Sequence, residues 1–141
     1  MSKPRVLFIC THNSARSQMS EAYLRKFAGD RFEVQSAGFE PTTINPLVVE
    51  VMKEEDIDIS DNKTNSVFEL YKEGRLYDYV ITVCHDSESL CPKFPGITRR
   101  LHWAFEDPSS FTGSEEKKLA KTREVRDQIK QTIQDWREKM R

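Results

Sequence analysis

Cys10 and Arg16 are the first residues along the chain whose types and spacing suggest covalent chemistry, in the run Cys10-Thr-His-Asn-Ser-Ala-Arg16-Ser17. The apolar stretch Arg5-Val-Leu-Phe-Ile-Cys10 leads into it, and Met19, Ala22, Tyr23 and Phe27 recur at helical spacing behind it. A loop between a strand and a helix collects backbone N–H groups and the positive end of the helix dipole above the strand end, where an anion binds. The loop residues Thr11, His12, Asn13, Ser14 and Ala15, together with Arg16, are therefore expected to hold a tetrahedral oxyanion. The Arg16 guanidinium can give parallel hydrogen bonds to two of its oxygens, which a lysine cannot. The same surroundings favour the thiolate of Cys10 as an attacking sulfur, with Ser17 placed to hydrogen-bond it. Alone, Cys-x5-Arg is a weak signal, because a cysteine ending an apolar strand is often a small packed hydrophobe. The flanking strand and helix, with Asn13 and Ser14 to support tight turns, make the anion site the stronger reading.

Two further cysteines complete the candidates: Cys84, at the end of the apolar run Tyr77–Val83, and Cys91, followed by Pro92. Three is an odd count in a chain without a secretion signal, so reactive or metal-bound thiols fit better than a permanent disulfide framework. A pair of thiols can supply two electrons by closing into a disulfide. A zinc site from Cys84, His85, Cys91 and His102 is the other option, but Cys-x6-Cys is wider than the usual zinc-ligand spacing. Asp107-Pro108, read in isolation, is a turn.

The elements that must position these residues alternate between strand and helix. After the first strand and helix, with Gly29 as a stop, Phe32 to Ala37 reads as a second strand. Asn45-Pro46 supplies an N-cap and first-turn proline for a helix striped by Leu47, Val48, Val51 and Met52. Ser66 to Glu73, closed by Gly74, predicts a short helix, Tyr77 to Val83 a buried strand and Leu101 to Phe105 a brief fourth strand. Thr112 with Glu115 matches a capping box opening a long helix, whose stripe runs Leu119, Val125, Ile129, Ile133, Trp136 and Met140, its charged remainder read as a solvated face. The alternation predicts a three-layer α/β/α sandwich around a four-stranded parallel sheet, as one domain over residues 1–141. Cys10 and Cys84 both fall at C-terminal strand ends, where ligands bind in such folds.

Lys plus Arg (22) nearly balance Asp plus Glu (23), so a nucleic-acid partner or a membrane surface is not expected. No long apolar segment or leader is visible, which points to the cytoplasm; a monomer is the expected state.

Nearly the whole chain resembles the low-molecular-weight tyrosine phosphatase superfamily and, within it, the thioredoxin-coupled arsenate reductases. The likeness is carried by Cys10 to Ser17 with Gln18-Met19-Ser20-Glu21, Ser36-Ala37-Gly38, Ile57-Asp58-Ile59-Ser60, Val83-Cys84 with Cys91-Pro92, and His102-Trp103 with Phe105-Glu106-Asp107-Pro108. His12 and Ala15 stand where the common loop pattern has glycine and cysteine; Ala15 removes any disulfide within the loop. The resemblance implies that Cys10 attacks arsenate while Asp107 protonates the departing oxygen. Cys84 then attacks Cys10, releasing arsenite and leaving a Cys10–Cys84 disulfide, and Cys91 attacks Cys84. The final Cys84–Cys91 disulfide would be reopened by thioredoxin, glutaredoxin and mycothiol systems being the other candidate reductants. Residues 84 and 91 on a rigid helix would sit about 10 Å apart, beyond disulfide reach, so the segment between them must rearrange.

The resemblance also implies a rival activity, an aryl or tyrosine phosphatase using Cys10, Arg16 and Asp107, with Cys84 and Cys91 as passengers. The two tyrosines usual after the acid in phosphatases are here Ser109 and Ser110, which favours the reductase. No cofactor is required, but some reductases bind potassium through residues matching Asn13, Glu21, Ser36 and an aspartate. Asn65 stands at the last position, so weak binding or none is expected, with Asn13 and Ser36 bracing the loop instead.

Overall fold

Burial on both faces fixes the central strand. In the computed structural model, which describes residues 3–84, 96 and 98–140, β1 (Arg5–Cys10) carries five consecutive buried residues, Val6 to Cys10. Val6, Phe8 and Cys10 point into one hydrophobic cluster and Leu7 and Ile9 into another, as the two-residue period of a strand requires. β2 (Glu33–Gly38), β3 (Tyr79–Thr82) and β4 (Arg99–His102) complete a parallel sheet of order β2-β1-β3-β4. Parallel pairing sets every C-terminal strand end on the same side, so β1 delivers Cys10, and the chain after β3 delivers Cys84, to one edge.

The helices α1 (Arg16–Ala28), α2 (Pro46–Lys53) and α4 (Glu115–Lys139) pack with Val6, Phe8 and Cys10; α3 (Val67–Lys72) covers Leu7 and Ile9. The helices therefore lie on both faces of the sheet, giving the three layers expected. Trp136 of α4 anchors the thicker layer, with ring centroids 5.3 Å from Phe32, 5.3 Å from Tyr79 and 6.0 Å from Trp103.

Several boundaries differ from expectation: β2 is shifted by one residue, to Glu33–Gly38, and β3, at Tyr79–Thr82, is shorter than Tyr77–Val83. The fourth strand begins at Arg99, ahead of the apolar residues that suggested it, because an edge strand is fixed by backbone pairing with β3 and leaves Arg99 and Arg100 exposed. The cap of α4 is Ser114, whose side chain accepts from the Lys117 N–H at 3.2 Å, and not Thr112. Gly113, with φ of +105°, turns the chain between the two and takes Thr112 out of line with the helix. The charged face of α4 is also less uniformly solvated than expected: Arg126 is buried and donates to the Val51 carbonyl and Glu54.

Candidate active site

The loop from Cys10 to Arg16 is held from outside by its carbonyls. Those of Cys10, Thr11, His12 and Ser14 accept from the amides of Phe39, Glu40, Thr42 and Asn45, at 2.8–3.3 Å, in the segment that follows β2. With the carbonyls drawn outward, the amides of Thr11 to Arg16 donate to no protein acceptor among the described residues. Helix α1 opens at Ala15, which offers no side-chain cap, so its first-turn amides are uncapped as well. The result is a set of backbone donors at a helix N-terminus without partners among the described residues, which suits an anion.

Two unusual backbone positions make this possible. Asn13 adopts φ of +55°, a left-handed conformation that asparagine tolerates better than most residues. Gly38 lies so close to the loop that an added Cβ would stand 2.7 Å from the Asn13 nitrogen and 2.8 Å from both His12 C and Thr11 O.

Arg16, buried at 7% exposure, gives Nη1 to the Phe105 carbonyl at 3.0 Å, which leaves its Nε–Nη2 edge for other partners. Nη2 lies 3.6 Å from Asp107 Oδ2, while Nε is buried without a partner among the described residues. A buried guanidinium nitrogen left open is costly unless a ligand fills it, and one oxyanion oxygen would do so. Asp107 caps the short 3-10 turn Pro108–Ser110 by accepting from the Ser109 amide, so the turn expected of Asp107-Pro108 is present, with its other carboxylate oxygen toward Arg16. Asn45 Nδ2 reaches Ser109 Oγ at 3.2 Å, joining the start of α2 to the acid loop.

The thiols are near at hand. Cys10 Sγ lies 2.9 Å from Ser17 Oγ, and Cys84, buried at 2% exposure, has its Sγ 3.6 Å from Thr11 Oγ1. Thr11, expected among the anion-binding residues, thus directs its side chain to Cys84. His12 turns Nδ1 to the Glu40 carbonyl at 3.0 Å, so its side chain braces the segment after β2. Cys91 and His85 lie outside the described residues. His102 Nδ1 pairs with Thr82 Oγ1 at 2.6 Å, and no group of three His, Cys, Asp or Glu suited to a metal occurs among the described residues.

Asn13, Glu21, Ser36 and Asn65 do come together, as a closed hydrogen-bond set. Asn13 Oδ1 accepts from the Asn65 amide and from Gln18 Nε2, which uses both of its lone pairs. The Glu21 carboxylate takes Ser36 Oγ–H on one oxygen and Arg25 on the other, and Asn65 Nδ2 donates to the Ser36 carbonyl. The Asn13 oxygen therefore has no lone pair left for a cation, while the Glu21 carboxylate and the Ser36 carbonyl are each held by these contacts. Gln18, Gly38 and the Phe105 carbonyl carry the site without having been singled out for it. Gln18 left a trace, being a polar residue on a helix face otherwise marked by Ala15 and Met19.

The sequence matches the low molecular weight phosphotyrosine protein phosphatase family over residues 5–141. The chain belongs to that family. Among its relatives, an arsenate reductase of Halalkalibacterium halodurans is 40% identical over 139 residues, 98% of each chain. An arsenate reductase solved in its phosphate binding state superposes with a TM-score of 0.82 at 28% identity, covering 98% of this chain and 99% of that one. A thioredoxin-dependent arsenate reductase of Corynebacterium glutamicum superposes with a TM-score of 0.62 at 35% identity, over 94% of this chain and 62% of the other. No helix among the described residues is long and apolar enough to cross a membrane.

Proposed function

We propose that this protein reduces arsenate to arsenite in arsenic detoxification, using thioredoxin as the source of electrons. The observation that carries the reading is a second buried cysteine beside the anion loop: Cys84 Sγ is within hydrogen-bonding reach of the hydroxyl on the residue next to Cys10. A phosphatase needs one thiolate and is endangered by a neighbour able to oxidise with it, whereas reduction needs two. The family relatives named arsenate reductase support the same reading.

Arsenate sits on the amides of Thr11 to Arg16 and the Nε–Nη2 edge of Arg16. Cys10 Sγ attacks arsenic, and Asp107 gives a proton to the departing oxygen, which leaves as water. Cys84 Sγ then attacks Cys10 Sγ. The S–As bond breaks, its electron pair stays on arsenic, and arsenite departs from a Cys10–Cys84 disulfide. Cys91 attacks Cys84, Cys10 leaves as the thiolate, and thioredoxin's dithiol reduces the Cys84–Cys91 disulfide. The protein acts as a cytoplasmic monomer, and with both carboxamide lone pairs of Asn13 occupied it has no potassium requirement; exchanging potassium for choline leaves turnover unchanged.

The test is NADPH consumption with thioredoxin, thioredoxin reductase and arsenate. Each of Cys10→Ser, Cys84→Ser and Cys91→Ser stops NADPH consumption, and arsenite measured directly separates them: none leaves Cys10→Ser or Cys84→Ser, which holds the adduct, and about one equivalent per enzyme leaves Cys91→Ser. Normal turnover by Cys84→Ser would overturn the relay, and no arsenate-dependent NADPH consumption by the wild type would favour phosphate-ester hydrolysis.

A further inference from the structure

The Asn65 backbone N–H can only donate, so its 2.9 Å contact fixes Asn13 Oδ1 as an acceptor and turns Asn13 Nδ2 toward Ser17 Oγ at 2.7 Å. Ser17 Oγ accepts that bond, and its own proton is then left for Cys10 Sγ at 2.9 Å. The direction of the hydrogen bond at the sulfur is therefore set by the Asn65 amide together with Gln18 Nε2, which donates to the same Asn13 oxygen at 3.2 Å. Asn65 is held in turn by its Nδ2 on the Ser36 carbonyl, and Ser36 by its hydroxyl on Glu21 Oε1. Glu21 lies on α1 with its side chain 12% exposed, and Arg25, one helical turn on, is its one cationic partner among the described residues, at 2.7 Å. The same Arg25 nitrogen donates to the Val34 carbonyl at 2.6 Å, two residues before Ser36 on β2.

From this chain of contacts we infer that Arg25, outside the anion loop and largely exposed, is a positioning residue for the nucleophile Cys10. Without Arg25 the Glu21 carboxylate loses the partner that fixes Oε2, so Oε1 is no longer held in one place beneath the Ser36 hydroxyl. β2 is also released at Val34. The disturbance passes through Ser36 and Asn65 to the Asn13 amide, and Ser17 no longer delivers its proton to the sulfur in one fixed direction.

The inference takes Cys10 to be the attacking sulfur, but its test needs neither arsenate nor thioredoxin, so it stands or falls apart from the turnover assay. The rate of Cys10 alkylation by iodoacetamide is measured at neutral pH by peptide mass spectrometry, with circular dichroism to confirm folding. Arg25→Ala changes that rate by about five- to tenfold, Arg25→Lys restores it to within about twofold, and Ser36→Ala, which breaks the chain from inside, matches Arg25→Ala. In a Ser17→Ala background, Arg25→Ala has no further effect, because its influence passes through that hydroxyl. An unchanged alkylation rate in folded Arg25→Ala, or full additivity with Ser17→Ala, overturns the proposal. Should Arg25→Ala fail to fold, Ser36→Ala alone decides: an unchanged rate overturns it.

Discussion

Arg16 holds two parts of the site in register, because Nη1 fastens it to the Phe105 carbonyl while Nε, buried and without a partner among the described residues, lies beside the anion loop. Arg16→Lys keeps the charge and loses both the fork and the anchor, so kcat/KM for arsenate should fall by about 10²-fold in the coupled assay. Asp107→Asn should slow the first covalent step by a similar factor, on the order of 10², in single-turnover measurements with Cys84→Ser enzyme. Gly38 is the least obvious of the essential residues: a methyl group there meets three backbone atoms of the loop, none of which a side-chain rotation can move away. Gly38→Ala should cost about 1–3 kcal/mol of stability by denaturant titration and weaken oxyanion binding with it; a variant that binds as wild type would show that the loop yields. The sulfurs and Arg16 stood out in the sequence because their chemistry depends on residue type, whereas Asp107, in isolation a turn residue, was singled out only through the family resemblance. The carbonyl anchors from Phe39 to Asn45 and the close approach at Gly38 were not, since backbone contacts leave no mark on which residue occurs.

Elements with a chemical signature were legible almost to the residue. The uninterrupted apolar run of β1, the Asn45-Pro46 start of α2 and the Ser66 start of α3 fall where the sequence puts them. β4 and the cap of α4 did not, for one is an edge strand with no apolar requirement and the other depends on a left-handed turn at Gly113. The buried Arg126 escaped for another reason: a charged residue on a mostly solvated face looks the same whether or not a partner helix supplies a carboxylate. That partner is the C-terminal end of α2. There the Arg123 guanidinium and then Arg126 hold Glu54 below the usual glutamate range, and Lys130, with help from Tyr23, does the same for Glu55. Both groups bind protons less readily folded than unfolded, so their contribution is intact above the ordinary glutamate value of 4.5 and is lost as pH falls below it. The melting temperature should therefore drop more steeply between roughly pH 5 and pH 3 in the wild type than in a Glu54→Gln, Glu55→Gln double variant. Parallel curves for the two proteins would remove this clamp between α2 and α4 from the account of acid stability.

At the scale of the molecule, one sheet order brings everything to a single edge: β1 ends in the anion loop, the chain after β3 in Cys84, and the acid loop follows β4. The core can pay for that edge being unfinished among the described residues, with α1 lacking a side-chain cap and the loop amides and the Arg16 Nε without partners there. An inorganic oxyanion that completes those contacts binds the folded chain alone and must stabilise it by linkage. Phosphate, which has the shape and charge of arsenate but cannot accept electrons, separates this binding from the redox chemistry. At about a hundred times its Kd it should add roughly 2.7 kcal/mol, a rise in melting temperature of about 5–12 °C for a domain of this size. Cys10→Ser should keep most of the rise, because the amides and Arg16 do the holding, while Arg16→Ala should lose it. A rise of equal size in Arg16→Ala would place the anion somewhere other than this loop, and with it the first step of the reaction.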